Sequence, residues 1–389
     1  MVAGYSVAPG SKQKMALWRF TPTGAVDAAF GSNGHVVAAS VAGGAQDVGN
    51  AIAIDSAGNI LVAGYSFNAG STVSDMVVWR YTSTGATDAN FGGSGHVVAT
   101  GTGGGTNDLG FAIAIDSAGK ILVAGSSSTA GNTGTDMALW RYTSTGAADT
   151  AFGNNGHALT TGTAGGTKDS GIAIAIDSAG RILVAGSSFA AGNFADMALW
   201  RYASTGAADA TFGNNGHVLA ASTAGGIQDF ARAIAIDPAG KILVVGTSNV
   251  AGNSGVEMAL WRYTSTGAVD TTFGSSNGHV LAAATAGGTG DGGTLDFGSG
   301  VSTDSVGNIL VAGESDFAAG ADMALWRYTS TGAADTAFGS NGHALTTGTA
   351  GGSGDVGNAI AIDSAGKILV TGYSYTATNV VDMALWRLK

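Results

Sequence analysis

The chain has 389 residues with 66 glycines, three prolines and no cysteine, 45% apolar and 11% charged side chains, and a formal net charge of −11. The absence of cysteine excludes disulfides, thiol catalysis and cysteine metal sites, and glycine without an every-third-residue rule excludes collagen. Short, interrupted apolar runs exclude a transmembrane helix and direct membrane insertion, and an acidic balance with only 16 basic residues argues against nucleic acid as a partner.

The opening residues, MVAGYS, lack the basic region and long apolar run of a signal peptide. They match a strand that recurs inside the chain. The first complete unit is read from residue 51. Ala-Ile-Ala-Ile-Asp55 and Ile60-Leu-Val-Ala-Gly64 are two β-type runs around Asp-Ser-Ala-Gly, a hairpin in which Asp caps the turn and Gly closes it. A polar loop leads to Asp75-Met-Val-Val-Trp79-Arg80-Tyr81, then a Ser-Thr-Gly-Ala turn, Phe91-Gly92, and a fourth run from Gly95-His96. A glycine-rich loop leads back to the next Ala-Ile-Ala-Ile-Asp. Runs this short, with glycine throughout, argue against helix.

The unit recurs along the whole chain. Its markers are Trp18, Trp79, Trp140, Trp200, Trp261, Trp326 and Trp386, at intervals of 61, 61, 60, 61, 65 and 60 residues. Four short strands per ~61-residue repeat match the blade of a β-propeller. A β-solenoid is the rival, but its rungs are nearer 20 residues. The Val-Ala-Gly and Trp strands each occur seven times and the Ala-Ile-Ala-Ile-Asp and Gly-His strands six times, which makes 26 strands where seven full blades need 28. The expectation is an all-β, seven-bladed propeller with incomplete first and last blades, and one repeat domain over residues 1–389. A truncated N-terminus, an atypical terminal blade, and six blades with an overlapping half unit all stay open. The sixth unit departs most, with an eroded Val301-Ser-Thr-Asp304 strand preceded by a loop carrying Asp291 and Asp296.

The acids fall into registers. Asp47, Asp108, Asp169, Asp229, Asp296 and Asp355 precede the Ala-Ile-Ala-Ile-Asp strand; Asp55, Asp116, Asp177, Asp237, Asp304 and Asp363 end it. Asp75, Asp136, Asp196, Glu257, Asp322 and Asp382 open the Trp strand, and Asp27, Asp88, Asp149, Asp209, Asp270 and Asp335 follow the Ser-Thr-Gly-Ala turn. Repetition on this scale reads as folding grammar. The functional alternative is sharpest for the first register, whose six carboxylates would form an anionic rim able to hold calcium through oxygen ligands, although the spacing is not that of a calcium loop. No other metal and no cofactor is expected. Each Trp is followed by Arg, including Arg80, Arg141 and Arg201, and alternation sends Trp and Arg to opposite faces. The Trp and Arg positions are structural candidates, with Arg pairing to the second or fourth acid register.

The six histidines, one per unit, cannot converge on one metal, and no nucleophile elbow, P-loop, HExxH or dinucleotide fingerprint occurs. No catalytic residue is singled out.

Taken together, ALWRYxxxG, FGxxG and AIAIDxxGxILVAG, recurring in that order, resemble the delta-60 repeat of bacterial proteins. The resemblance implies a propeller-like fold in a secreted or surface protein, extracellular or periplasmic, with no established activity. The expectation for function is therefore a non-catalytic extracellular scaffold that meets a protein partner or assembles with itself. The alternative is a carbohydrate- or small-ligand-binding propeller with Tyr5, Tyr65, Tyr373 and Tyr375 on its binding face. A hydrolase would require one unit to break the symmetry with a close acid/base pair.

Overall fold

The computed structural model describes residues 1–7, 12–38, 41, 43–192, 194–253, 255–282, 285, 295–317, 320–378 and 380–389. Among them are 26 β-strands. A representative module comprises Gly104–Ile115, Ile121–Thr129, Thr135–Tyr142 and His157–Thr160, called here its first to fourth strands. Each pairs antiparallel with the next. Among the described residues there are five such modules. They are preceded by a three-stranded sheet of Val2–Ser6, Lys14–Trp18 and His35–Val37 and followed by one of Gly351–Ile362, Ile368–Thr376 and Val381–Leu388.

Local chemistry explains the module. Asp55 Oδ1 accepts from the N–H groups of Ala57 at 3.0 Å and Asn59 at 2.8 Å, and Gly58 takes φ 81°, so the Asp-Ser-Ala-Gly turn closes the first hairpin. A bulge between Gly49 and Ala51 then presses the first strand onto the second. A Cβ on Gly64 would lie 1.8 Å from the Val48 carbonyl oxygen, which is why the Val-Ala-Gly run ends in glycine.

The chain forms two compact units: Met1–Val184 with Ser188–Ala191 and Tyr202–Ala208, and Ala185–Ser187 with Gly192–Arg201 and Asp209–Lys389. In the first unit, Trp140 packs on Leu61, Ala63, Met76, Val78 and Phe91 of the preceding module. In the second, Trp326 does the same on Leu243, Val245, Met258, Leu260 and Phe273. The core is thus made between modules, from second and third strands whose Leu, Val and Met side chains are buried. The first strands are less enclosed than the second and third. Their Ala-Ile-Ala-Ile run is only half-buried and Ile54 is exposed, so these strands are not enclosed on both faces. The loop carrying Asp291 lies outside the described residues.

Candidate functional site

Asp47, Asp108, Asp169, Asp229, Asp296 and Asp355 are 0–1% exposed. Asp108 Oδ2 accepts from the N–H and hydroxyl of Thr102, at 3.0 and 2.9 Å, and Asp169, Asp229, Asp296 and Asp355 repeat this with Thr163, Thr223, Thr285 and Thr349. Asp47 instead accepts from Ser66 Oγ at 2.6 Å and meets Lys14 Nζ at 3.4 Å. Each carboxyl is buried and anchors a loop or strand end. Among the described residues no three His, Asp or Glu side chains come together to hold a metal.

The third register faces the first across module junctions. Short parallel bridges pair Ser74 with Asn107, Thr135 with Lys168 and Val256 with Leu295, which brings Asp75, Asp136 and Glu257 beside Asp108, Asp169 and Asp296 of the following module. Burial raises the Asp136 carboxyl above its ordinary range; a Thr161 hydrogen bond opposes this and the Asp169 charge adds to it. Asp196 and Glu257 are raised in the same way, first by burial and then by Asp229 and Asp296.

The fourth register holds the arginines. Nε of Arg80, Arg141 and Arg201 donates to Asp88, Asp149 and Asp209 at 2.8, 3.0 and 2.9 Å. Their guanidinium carbons lie 4.6, 4.4 and 4.4 Å from the ring centroids of Phe91, Phe152 and Phe212. Each Nη1 also donates to a carbonyl of the following module, that of Ser144, Ser204 or Ser265. Trp thus faces the preceding module and Arg clasps the next, opposite directions from adjacent residues. Arg387 donates instead to Asp363 at 2.8 Å.

One strand face departs from this repetition. Two second-strand positions, two residues apart and so on one face, change chemistry from module to module. They are Tyr65 and Phe67, Ser126 and Ser128, Ser187 and Phe189, Thr247 and Asn249, Glu314 and Asp316, and Tyr373 and Tyr375. Tyr65–Phe67 and Tyr373–Tyr375 are edge-to-face pairs with centroids 5.5 and 5.7 Å apart. Tyr5, at the equivalent position of the first sheet, is 50% exposed. It lies near enough to Tyr65 to add to the raising of that phenol, whose main cause is burial. One pair in the second unit, Glu314 and Asp316, is acidic. Glu314 is the cross-strand partner of Phe297, and the exposed Arg232 sits 5.7 Å from the Phe297 ring centroid. Burial raises the Glu314 carboxyl, Arg232 opposes this, and Asp316 reinforces it. Tyr5, Tyr65, Tyr373 and Tyr375 are expected on a face from the sequence, whereas Arg232, Glu314 and Asp316 belong to no repeated register and carry no motif. The signal available was variation at two positions of an otherwise repeated strand.

A model described as a domain of unknown function (DUF5122) β-propeller matches residues 58–91, 119–152, 180–212, 238–273 and 307–338, and one described as a β-propeller repeat matches 37–68 and 289–318. The chain is a β-propeller-type repeat protein. A comparison with curated proteins found no match. Among solved structures, the α-L-arabinofuranosidase of Fusarium graminearum in complex with an iminosugar inhibitor is similar at TM-score 0.51 and 10% identity, covering 88% of this chain and 93% of that one. Its complex with arabinobiose is similar at TM-score 0.50 and 10% identity, covering 87% and 92%. These structures overturn the expectation that the chain is not an enzyme. The same fold carries a glycoside hydrolase, so the lack of a nucleophile elbow, P-loop or HExxH motif excludes nothing about glycoside chemistry. At this identity the likeness is one of fold.

Proposed function

We propose that this protein is a carbohydrate-directed propeller, seven-bladed and built of delta-60-type repeats, which binds oligosaccharide on the variable face of its second strands. The carrying observation is that face. A chain that repeats nearly everything else places aromatic pairs, hydroxyls and one acidic pair there. In the second unit the partly buried rings of Tyr373 and Tyr375 can offer their accessible parts to the C–H faces of sugars, while Glu314 and Asp316 accept and Arg232 donates hydrogen bonds to hydroxyls. The arabinofuranosidase, solved with arabinobiose, suggests that disaccharide as the first probe.

Hydrolysis is the second reading, and Glu314 favours it. Glu314 and Asp316 lie two residues apart on one strand, a Cα spacing of about 6.6 Å, from which their carboxyl groups can reach the separations of glycoside-hydrolysing pairs. The raised Glu314 would hold the proton for the leaving oxygen and Asp316 would remain the charged partner.

Calorimetric titration with arabinobiose and longer arabino-oligosaccharides, together with release of free sugar, tests both readings. Arg232→Ala is expected to weaken binding. Glu314→Gln is expected to keep binding and lose about 10²–10⁴-fold in turnover if hydrolysis occurs. Activity should fall as pH rises through the Glu314 pKa, because its acid form is the working one. Absence of binding to any neutral oligosaccharide would sink the proposal; binding without sugar release would sink the hydrolytic reading alone.

A further inference from the structure

Away from the second-strand face, two clefts of the same construction open between neighbouring modules. In the first unit a cleft of about 720 Å³ lies between a fourth strand and the Ser-Thr-Gly-Ala turn of the next module, lined by Gly92, Ser94, His96, Val98, Thr145 and Ala147. In the second unit the equivalent cleft, of about 510 Å³, is lined by Gly274, Asn277, His279, Leu281, Thr331 and Ala333. Both volumes fall in the range of small-molecule sites.

The floor is built for close approach. Gly92 N–H donates to the Thr145 carbonyl at 3.0 Å and Gly274 N–H to that of Thr331 at 2.9 Å. A Cβ at either glycine would sit 2.1 Å from the carbonyl oxygen of His96 or His279, so no side chain can rise from the floor there. The walls are uncharged and mix polar with apolar groups. Ser94 Oγ lies 3.3 Å from His96 Nδ1, and Asn277 Nδ2 lies 3.3 Å from His279 Nε2. Thr145 and Thr331 add hydroxyls, and Val98, 41% exposed, supplies an aliphatic lip. Among the described residues no Asp, Glu, Lys or Arg lines either cleft. Burial lowers the His279 pKa against the opposing pull of the Asn277 carbonyl and Asp229, so its ring is neutral at pH 7 and has one donor and one acceptor.

We infer that these junction clefts are separate binding sites for neutral saccharide units. An anionic or cationic ligand would find no counter-charge, and a purely apolar one would leave hydroxyl, amide and imidazole groups unpaired. A polyol both donates and accepts, as these walls do, and its C–H face suits the aliphatic lip. The glycine-to-threonine backbone bond that forms the floor recurs at Gly31–Thr84, Gly153–Thr205 and Gly213–Thr266, each 2.9 Å, which makes the junction a repeated frame. Repetition would then hold a polymer more tightly than any one cleft holds a disaccharide. The inference takes its ligand class from the proposed function, but its residues are different ones.

The test uses the full chain with arabinobiose, neutral arabinan and a polyuronate as probes. The expected result is more than one equivalent of arabinobiose per chain, and arabinan bound about 10²–10⁴-fold more tightly by avidity. Ala147→Trp and Ala333→Trp, both at exposed lining positions, should each remove one equivalent with the melting temperature unchanged. Should either unfold the protein, Thr145→Val and Thr331→Val replace only a hydroxyl by a methyl and should weaken the same equivalents. Arg232→Ala should leave the cleft equivalents intact, so failure of the clefts and failure of the second-strand face are read separately. A stoichiometry of one or none, cleft variants that bind as the parent does, or a preference for the polyuronate would overturn the inference.

Discussion

The indole N–H of Trp140 donates to the Thr102 hydroxyl at 3.0 Å, and Trp261, Trp326 and Trp386 do the same with Thr223, Thr285 and Thr349. That threonine in turn donates to the buried Asp of its module, so one hydroxyl ties the core to the loop. Val41 stands at this position in the first full module, and there the buried Trp79 N–H has no partner among the described residues. Val41→Thr should restore the link and raise stability by about 1 kcal/mol, measured by chemical denaturation. Thr102→Val makes the reverse change and leaves both an indole and a carboxylate short of a partner. It should cost about 1–3 kcal/mol; a neutral result would show that neither hydrogen bond matters to stability.

The Arg clasp and the junction acids act oppositely with pH. Arg201, 2% exposed, is held by Asp209, the Phe212 ring and the Ser265 carbonyl. Arg201→Ala should cost about 3 kcal/mol, since it strands a partly buried carboxylate; Arg201→Lys keeps the charge but loses the fork and should fall between. The Thr211 hydroxyl, with its backbone N–H and Arg201, lowers the Asp209 pKa. That contribution is present above the unfolded value of 3.8 and is lost as pH falls through the folded one. The junction acids have the other sign. Asp136, Asp196 and Glu257 are raised, so the folded state holds their protons more tightly. Their contribution is full below the unfolded values of 3.8 and 4.5 and disappears as pH climbs through the folded ones. Combining Asp136→Asn, Asp196→Asn and Glu257→Gln should therefore raise the melting temperature at pH 7 more than at pH 4. An equal shift at both pH values would refute charge repulsion across the junctions.

For the molecule as a whole, the acidic register nearest the first strands sets a test of metal dependence. The six first-register carboxylates are taken up singly, by Thr or Ser within their own modules. Chelation with EDTA should leave the melting temperature of the full chain unchanged; a marked drop would point to ions bound at these acids. The regular positions of the module build the core and its junctions, while the second-strand face varies from module to module and is where the proposed binding is tested. Changes at Glu314 or Ala333 should therefore alter ligand binding with little effect on melting, whereas changes at Trp140 or Arg201 should do the reverse.

Much of this was legible in the residues alone. The strand types and their number, the Asp-capped turn, and the opposite directions of Trp and Arg follow from short-range rules: side-chain alternation, turn hydrogen bonding and the conformational freedom of glycine. Where a carboxyl goes is not a short-range matter. Asp108 looked able to reach a rim, yet Thr102, six residues earlier, captures it once the loop folds back, and Asp136 meets Asp169 only because a parallel bridge joins two modules. Arg232, Phe297 and Glu314 are likewise spread over more than 80 residues of chain and become neighbours through cross-strand register and module contact. Local sequence grammar specifies each module; the site depends on how one module's side chains meet the next, and that is decided by packing between distant segments.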